Sequence, residues 1–270
     1  MKEDHSHHET PGFLSEERIN ERFKKHSVQA GKPLAFEKWL DVNLHSPKVY
    51  SHHFQIAGKD CDLLADEWFK WILRTPGQSS AISNPGISYA ASTLPTENPF
   101  LLKLTEDESV YLAGIGPFEK PALWRLFLTD PKPRPLFVSM YNMVASQEEY
   151  PSLSGPKDPK NPEVDNQLFD SVQKDLEGVY ELSATFDREP FDGCCVMRAL
   201  PLEVENIPKD NVMGIPSDRF KKANSLNIVY GGFFALMKEE ILTPGDHLLK
   251  FTANSVNYEI EGSFFISALY

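Results

Sequence analysis

The sequence predicts a mainly β protein, in which an antiparallel, jelly-roll-like β-sandwich body carries an N-terminal helical extension and one or two packed helices. Eight runs rich in β-branched and aromatic residues follow residue 108, most of them bounded by Pro, Gly, Asn or Asp. These runs do not alternate regularly with helical patterns, as the strands of a doubly wound α/β sheet do. Helical periodicity is confined to four segments, two of which precede residue 56.

The predicted parts of the chain are a disordered, His-rich tail, a helical extension and the sandwich body, over residues 1–12, 13–55 and 56–270. Within the extension, Ser15 can cap a helix over residues 15–26, whose acids lie in the first turn and whose bases lie in the last. Phe36, Trp39 and Leu40 fall on one side of a second short helix over residues 34–44.

The body begins with a predicted helix over residues 62–73, because Leu64, Trp68 and Ile72 recur at helical spacing and acids occupy the other face. A Ser-, Pro- and Gly-rich loop follows over residues 78–98. The predicted strands cover residues 109–113, 124–129, 136–141, 179–186, 195–203, 227–236, 246–253 and 257–268. A polar insert over residues 151–162 and a helix over residues 164–176 interrupt the strands.

Charge and composition exclude several classes of protein. The chain carries 27 basic and 39 acidic side chains, a net charge of −12, and the whole imbalance lies after residue 53. An acidic body without a basic stripe predicts no binding to nucleic acid or to an anionic membrane surface. No run approaches the ~18 apolar residues of a membrane span, so no span is predicted.

Localisation is predicted from the N-terminus and the cysteines. The first residues, MKEDHSHHETPG, lack the basic end and apolar stretch of a secretory signal, which predicts a cytoplasmic protein and leaves non-classical secretion open. The three cysteines are odd in number, and Cys194 and Cys195 are adjacent. No disulfide framework can be derived from them, and this favours a reducing compartment.

The histidines limit the chemistry of the body. Seven of the eight precede residue 54, so a Ser/His/Asp or Cys/His system in the body would need His247 as its base. His247 follows a Pro-Gly-Asp turn at the start of a strand, where we expect it to face solvent or a cross-strand partner. The sequence contains no P-loop, no G-x-G-x-x-G, no H-E-x-x-H and no G-x-S-x-G.

A series of short motifs after residue 60 resembles, in the same order, a bacterial family without an established activity. The motifs are Trp68-Phe-Lys-Trp71, Asn84-Pro85, Val110-Tyr-Leu-Ala-Gly114, Asn142 with Glu148 and Glu149, Pro208-Lys-Asp-Asn-Val-Met-Gly-Ile-Pro216 and Leu242-Thr-Pro-Gly-Asp-His-Leu-Leu-Lys-Phe251. The resemblance implies a β-rich body and a bacterial origin. It supplies no catalytic residues.

Paired carboxylates are the candidates for catalysis. Glu148 and Glu149 follow an apolar strand close to Asn142, where a carboxylate pair can act as general acid and base or bind Ca²⁺. A solvated loop tip is the alternative. Asp210 occupies a predicted turn, and oxygen ligation of a hard cation together with Asp187 and Asp192 is its alternative role.

Aromatic and imidazole side chains are the candidates for binding. Trp124 and Arg125, with Asn142, are the predicted ligand-binding residues, because an aromatic face on a sandwich can stack on a sugar ring. Trp68 and Trp71 can join such a platform, or can fix their helix to the sheet. His5, His7 and His8 are dense enough to hold a divalent metal, although a solvated tail is the competing interpretation.

The sequence therefore favours a non-enzymatic module that binds a protein or glycan ligand and needs no cofactor. A carboxylate-centred hydrolase, with or without a divalent metal, is the first alternative. The second is a secreted effector or assembly subunit that docks through its N-terminal helices.

Overall fold

The computed structural model describes residues 48–50, 54–76, 88–89, 101–114, 122–146, 162–191, 195–196, 199–220, 224–255 and 257–269. The two helices in this part of the chain are α1 (Cys61–Arg74) and α2 (Pro162–Glu177). The strands are β1 (Ser88–Tyr89), β2 (Leu101–Lys103), β3 (Ser109–Ala113), β4 (Ala122–Leu128), β5 (Leu136–Ser146), β6 (Val179–Phe186), β7 (Glu189–Pro190), β8 (Cys195–Val196), β9 (Leu200–Val204), β10 (Leu226–Met237), β11 (Gly245–Ser255) and β12 (Glu259–Ala268).

The strands form two packed sheets. Sheet I has the order β1-β4-β12-β11-β6-β7, and sheet II has the order β2-β3-β5-β10-β8, with β9 also paired to β10. The pairs β1 with β4, β4 with β12 and β3 with β5 are parallel, whereas the others are antiparallel. The predicted mainly β, sandwich-like arrangement is confirmed, and both sheets are mixed. The jelly-roll order stays a prediction.

The main core lies between the two sheets. Along β11 and β12, alternate side chains point inward because successive residues of a strand face opposite sides of a sheet. Sheet II contributes the inner residues of β5 and β10 to the same cluster. The central members of this core are Val138, Met140, Ala235, Met237, Leu249, Phe251, Ala253, Phe264 and Ile266.

Helix α1 covers the other face of sheet II. Asp60 caps it by accepting a hydrogen bond from the Leu63 amide at 3.1 Å, which satisfies a free N–H of the first turn. Its buried face packs Trp68 and Phe69 against Phe234 of β10, with ring centroids 5.7 and 6.3 Å apart. Because α1 covers one face of sheet II and sheet I covers the other, every residue of β10 except Asn227 is buried.

Helix α2 packs against β5, β6 and β10 through a stripe of apolar residues spaced four apart. Leu168, Val172 and Leu176 are buried in the main core. The neighbouring Phe169 is only partly buried and contacts the edge of that core. This placement leaves α2 beside the start of β10 and its partner β9.

The predicted elements agree closely with the observed ones. The helices predicted over residues 62–73 and 164–176 are α1 and α2, and every predicted strand is present, with 195–203 divided into β8 and β9. The prediction missed β1, β2 and β7, which have only two or three residues each. The predicted tail and the helices over residues 15–26 and 34–44 lie outside the described residues.

The first described residues, 48–50, are hydrogen-bonded to the end of β10 and to Lys238, which follows it. The Tyr50 amide donates to the Leu236 carbonyl at 2.8 Å, and the Lys238 amide donates to the Lys48 carbonyl at 3.0 Å. Residues 48–50 thus pair with the end of β10. They belong to the segment that the sequence predicts as the helical extension, and the predicted boundary of that extension at residue 55 stays a prediction. Within the described residues, no helix is long and apolar enough to cross a membrane.

Candidate functional site

A groove of about 420 Å³ lies between α2 and the β9–β10 ladder, and we call it the α2 groove. Its residues come from three segments that are distant in sequence. They are Leu168, Phe169, Pro201, Leu202, Glu203, Asn227, Ile228 and Val229. Its volume falls in the range of about 300 to 1,000 Å³ that small-molecule sites occupy in proteins.

The pairing of β9 with β10 sets which side chains face α2. Pro201 pairs with Val229, and Glu203 pairs with Asn227. The alternate residues Leu200 and Leu202 pack against the cluster under α1. Because the side-chain period of a strand is two, Pro201 and Glu203 project to the α2 side of the ladder.

Pro201 also explains why the groove lies at a sheet edge. Proline has no amide hydrogen to donate to a neighbouring strand, so it is tolerated in edge strands and disfavoured in central ones. β9 is held to α2 at its start, where the Ala199 amide donates to the Gln173 side-chain oxygen at 3.2 Å. The Gln173 amide group in turn donates to Glu177 at 3.0 Å, which fixes its orientation.

The α2 groove is apolar at one end and polar at the other. Leu168, Phe169 and Val229 form the apolar part, and Leu168 and Val229 are buried in the main core. At the polar end, the exposed pair Glu203 and Asn227 stand opposite each other across the ladder. Glu203 is the one ionisable side chain among the described residues that line the groove, so this end carries a carboxylate and an amide.

His247 has no free ring nitrogen for catalysis. Its Nε2 lies 2.7 Å from the Thr243 carbonyl oxygen, and its Nδ1 lies 2.8 Å from an Asp187 carboxylate oxygen. Both ring nitrogens therefore face hydrogen-bond acceptors of the fold. The side chain is buried and stacks on Phe186 at 5.1 Å. Of the two predicted environments, solvent or a cross-strand partner, the structure shows the cross-strand partner, Asp187.

Asp187 belongs to the two-residue turn between β6 and β7. Asp187 and Arg188 have φ values of 53° and 72°, as a type I′ hairpin turn requires. Partial burial raises the pKa of Asp187, but the hydrogen bonds from His247 and the Leu248 amide outweigh this effect and hold the pKa below its usual value. The carboxylate is therefore engaged within the fold, and its predicted role in cation ligation with Asp210 gains no support.

We expect Asp187→Asn to lower the free energy of unfolding by roughly 1 kcal/mol near pH 7, a value reduced for solvent screening of this half-exposed group. The folded-state pKa is lower than the unfolded one of about 3.9, so the stabilisation is present above that pH and is lost as the pH falls through the folded-state pKa. Urea unfolding of both proteins from pH 7 to pH 3 measures the difference. A difference that does not shrink as the pH is lowered from 5 to 3 contradicts this account.

The other predicted site residues are scattered. Asn142 is half-buried, and its amide donates to the Ser139 hydroxyl at 3.0 Å. Arg125 is exposed on β4, opposite Phe265 of β12. Trp124 lies next to Arg125 on β4, opposite Phe264, and its side chain lies outside the described residues. None of these three residues lines the α2 groove, and their role in ligand binding stays a prediction.

Asp210 is exposed in the turn that the sequence predicts. Its neighbour Asn211 is buried and fixes the turn by donating to the Ile215 carbonyl at 2.9 Å and accepting from the Ile215 amide at 3.1 Å. Glu148, Glu149, His5, His7 and His8 lie outside the described residues. In the part of the chain that the structure describes, no three His, Cys, Asp or Glu side chains are grouped to hold a metal ion.

Two titratable groups with raised pKa values, Tyr230 and Asp175, lie in contacts between elements of the fold. Burial and a short hydrogen bond to Asp66 raise the pKa of Tyr230, which packs under α1 against Phe69. Burial also raises the pKa of Asp175, although Asn257 donates to its carboxylate at 2.8 Å. These contacts join helices to sheets, and none of the groups lines the α2 groove.

The sequence reasoning missed the groove residues. A signal was present in α2, where Phe169 stands beside the buried stripe rather than on it, and another in β9, where Pro201 interrupts a strand pattern. Comparison of the chain with protein families, with curated proteins and with solved structures gives no match. The structure is that of a mainly β protein with two packed sheets and an amphipathic groove at a sheet edge.

Proposed function

We propose that the protein is a non-enzymatic binding protein that takes a small, mainly apolar molecule in the α2 groove, with a hydrogen-bond donor or cationic group of the ligand at Glu203. The groove itself carries the proposal, because its size suits a small molecule and its lining joins an apolar body to one polar end. An acidic chain, with a net charge of −12, also favours a donor or cation over an anion.

The groove chemistry supports binding rather than catalysis. The described residues that line it include no Ser, Cys, Thr, Lys or His that could act as a nucleophile or base. Among these residues, Glu203 has the one carboxylate, without a second group to form an acid–base pair. Glu203 accepts a hydrogen bond from the Ser225 hydroxyl at 3.4 Å, and its other oxygen can accept from a ligand.

A small molecule fits the groove better than an added peptide strand. A peptide bound in the groove as an added strand of sheet II would have to pair with the outer edge of β9. Pro201 has no amide hydrogen, and Glu203 places a charge on the same short strand. Both features disfavour pairing of an edge strand with another chain.

We expect Asn227→Trp to weaken binding of the neutral fluorescent probe N-phenyl-1-naphthylamine by roughly tenfold or more. The probe has two apolar ring systems and one N–H donor, as the groove requires. Asn227 is exposed, so an indole at this position fills the groove without replacing a core side chain. Fluorescence titration of the wild-type and variant chains measures the two dissociation constants.

The matched control is Lys250→Trp, which adds the same side chain to an exposed position on β11, away from the groove. We expect this control to bind the probe as the wild type does. Equal affinity in all three proteins, or no measurable binding by the wild type, contradicts the proposed function. Circular dichroism spectra that coincide for the three chains confirm that the variants are folded.

A further inference from the structure

The polar end of the α2 groove offers several hydrogen-bond acceptors. Glu203 of β9 and Asn227 of β10 lie opposite each other across the ladder, and both residues are exposed. An ionised carboxylate only accepts hydrogen bonds, and the Asn227 side chain adds an amide oxygen. Among the described residues, the hydrogen bond that reaches Glu203 comes from the buried Ser225 hydroxyl, over a long 3.4 Å. Most of the acceptor capacity of the two side chains is therefore left for a ligand.

The charge of Glu203 has no cationic partner in the groove. None of the described residues that line the groove is a Lys, Arg or His. Ser225 is neutral, so its hydroxyl orients the carboxylate without cancelling its charge. Arg74 donates to the Glu205 carbonyl at 3.0 Å, but it belongs to α1, which covers the opposite face of sheet II. An apolar groove that ends in an unbalanced carboxylate suits a ligand with a positive head group.

Strand geometry sets the distance between this charge and the apolar part of the groove. Asn227 and Val229 are two residues apart on β10, so their side chains project to the same face of the sheet. Pro201 and Glu203 repeat this spacing on β9. At about 3.4 Å per residue, the polar end lies about 7 Å along the strands from the apolar part. A ligand that fills both parts needs a polar head group and an apolar chain of several carbons.

We propose that the α2 groove is a site for alkylammonium ligands, in which a primary ammonium group donates to Glu203 and Asn227 and the alkyl chain packs in the apolar part. An ammonium group has three N–H donors and a positive charge, so it matches both the acceptors and the charge of this end. A hydroxyl group has one donor and no charge, and a carboxylate is repelled by Glu203. This inference rests on the proposed function and narrows its ligand class to cations.

The test compares three octyl compounds that differ in the head group, namely n-octylamine, 1-octanol and octanoate. The amine is protonated at pH 7, as the lysine side chain is with its pKa of about 10.4. Displacement of N-phenyl-1-naphthylamine from the wild-type chain gives the dissociation constant of each compound. We expect octylamine to bind roughly fivefold more tightly than octanol, and octanoate to bind most weakly. Equal dissociation constants for octylamine and octanol, or tighter binding of octanoate, overturn the proposal.

The substitution Glu203→Gln removes the charge at the polar end and keeps the length of the side chain and an oxygen that can accept from Ser225. In this variant we expect the preference for octylamine over octanol to disappear. Glu261→Gln is the matched control, because it changes the net charge equally at an exposed position on β12 of sheet I. The control should keep the wild-type preference. A preference that survives in Glu203→Gln, or that is lost equally in the control, refutes the role of Glu203.

Salt gives an independent measurement of the charge effect. At 1 M salt the Debye length falls to about 3 Å, so an exposed carboxylate attracts an ammonium group less. Octanol is uncharged, and the ratio of the octanol and octylamine dissociation constants therefore isolates the electrostatic contribution. We expect this ratio to fall towards one as salt is added to the wild-type chain. A ratio that does not respond to salt contradicts an ion pair at Glu203.

The outcomes separate this inference from the proposed function. If the wild-type chain binds the neutral probe and octylamine and octanol displace it equally well, the preference for a cation is refuted and the groove remains a binding site. If the wild-type chain does not bind the probe, the proposed function is refuted, and the preference for a cation with it.

Discussion

Replacing Trp68 with alanine is expected to lower the free energy of unfolding by about 4 kcal/mol. The indole of Trp68 is 1% exposed and lies edge-on to the rings of Phe69 and Phe234. Its Nε1 donates to the Ala113 carbonyl at 2.9 Å. At Gly114, an added Cβ would lie 2.2 Å from the indole, so the site is closely packed. The variant loses this apolar contact, opens a cavity and leaves a buried carbonyl without its donor.

Urea unfolding followed by circular dichroism, under identical redox conditions, measures this change. Trp68→Phe keeps a ring but cannot donate to Ala113, so we expect an intermediate loss. Leu63→Ala is the control on the same helix, because Leu63 is 42% exposed. We expect this control to stay within about 0.5 kcal/mol of wild type. A Trp68→Ala chain with wild-type stability would show that α1 does not pack on sheet II as described.

The substitution Gly232→Ala is expected to lower the free energy of unfolding by about 2 to 3 kcal/mol. Gly232 pairs with Asn142 in the centre of sheet II, beside the register shift between Phe233 and Phe234. A Cβ at this position would lie 2.4 Å from the Tyr141 carbonyl oxygen and 3.1 Å from the Asn142 Cα. Both atoms belong to the backbone of β5, so the methyl group cannot be accommodated by rotating a side chain. To make room for the methyl group, the backbones of β5 and β10 must move apart at this position.

The same unfolding measurement tests this prediction, with Ser183→Ala on the exposed face of β6 as the control. The control should stay within about 0.5 kcal/mol of wild type. A Gly232→Ala chain as stable as this control would contradict the close approach of β5 and β10.

Much of the fold could be predicted because local patterns determine it. β10 has an apolar run long enough to be buried on both faces, and β11 alternates inward and outward residues. α1 and α2 each place apolar residues on one face. The pairing order could not be predicted, because the parallel pairs of β4 with β12 and β3 with β5 depend on contacts between distant segments.

The groove could not be predicted because no local pattern defines it. Phe169, Pro201 and Val229 come together only when α2 packs against the β9–β10 ladder. Sequence reasoning instead selected polar clusters and exposed-looking aromatics. Asp210 lies in the predicted turn, and Asn142 bonds locally to Ser139. Such residues satisfy the backbone or each other, and their type alone does not distinguish this role from ligand binding.

The most direct test of the proposed binding function is a methyl NMR titration of the wild-type chain with N-phenyl-1-naphthylamine. We expect saturable shifts that are largest for the methyl groups of Leu168 and Val229, which line the apolar part of the α2 groove. Methyl groups of Leu249 and Val138, in the core between the sheets, should shift little. Shifts centred elsewhere, or none at saturating probe, would contradict the assignment of the α2 groove as a binding site.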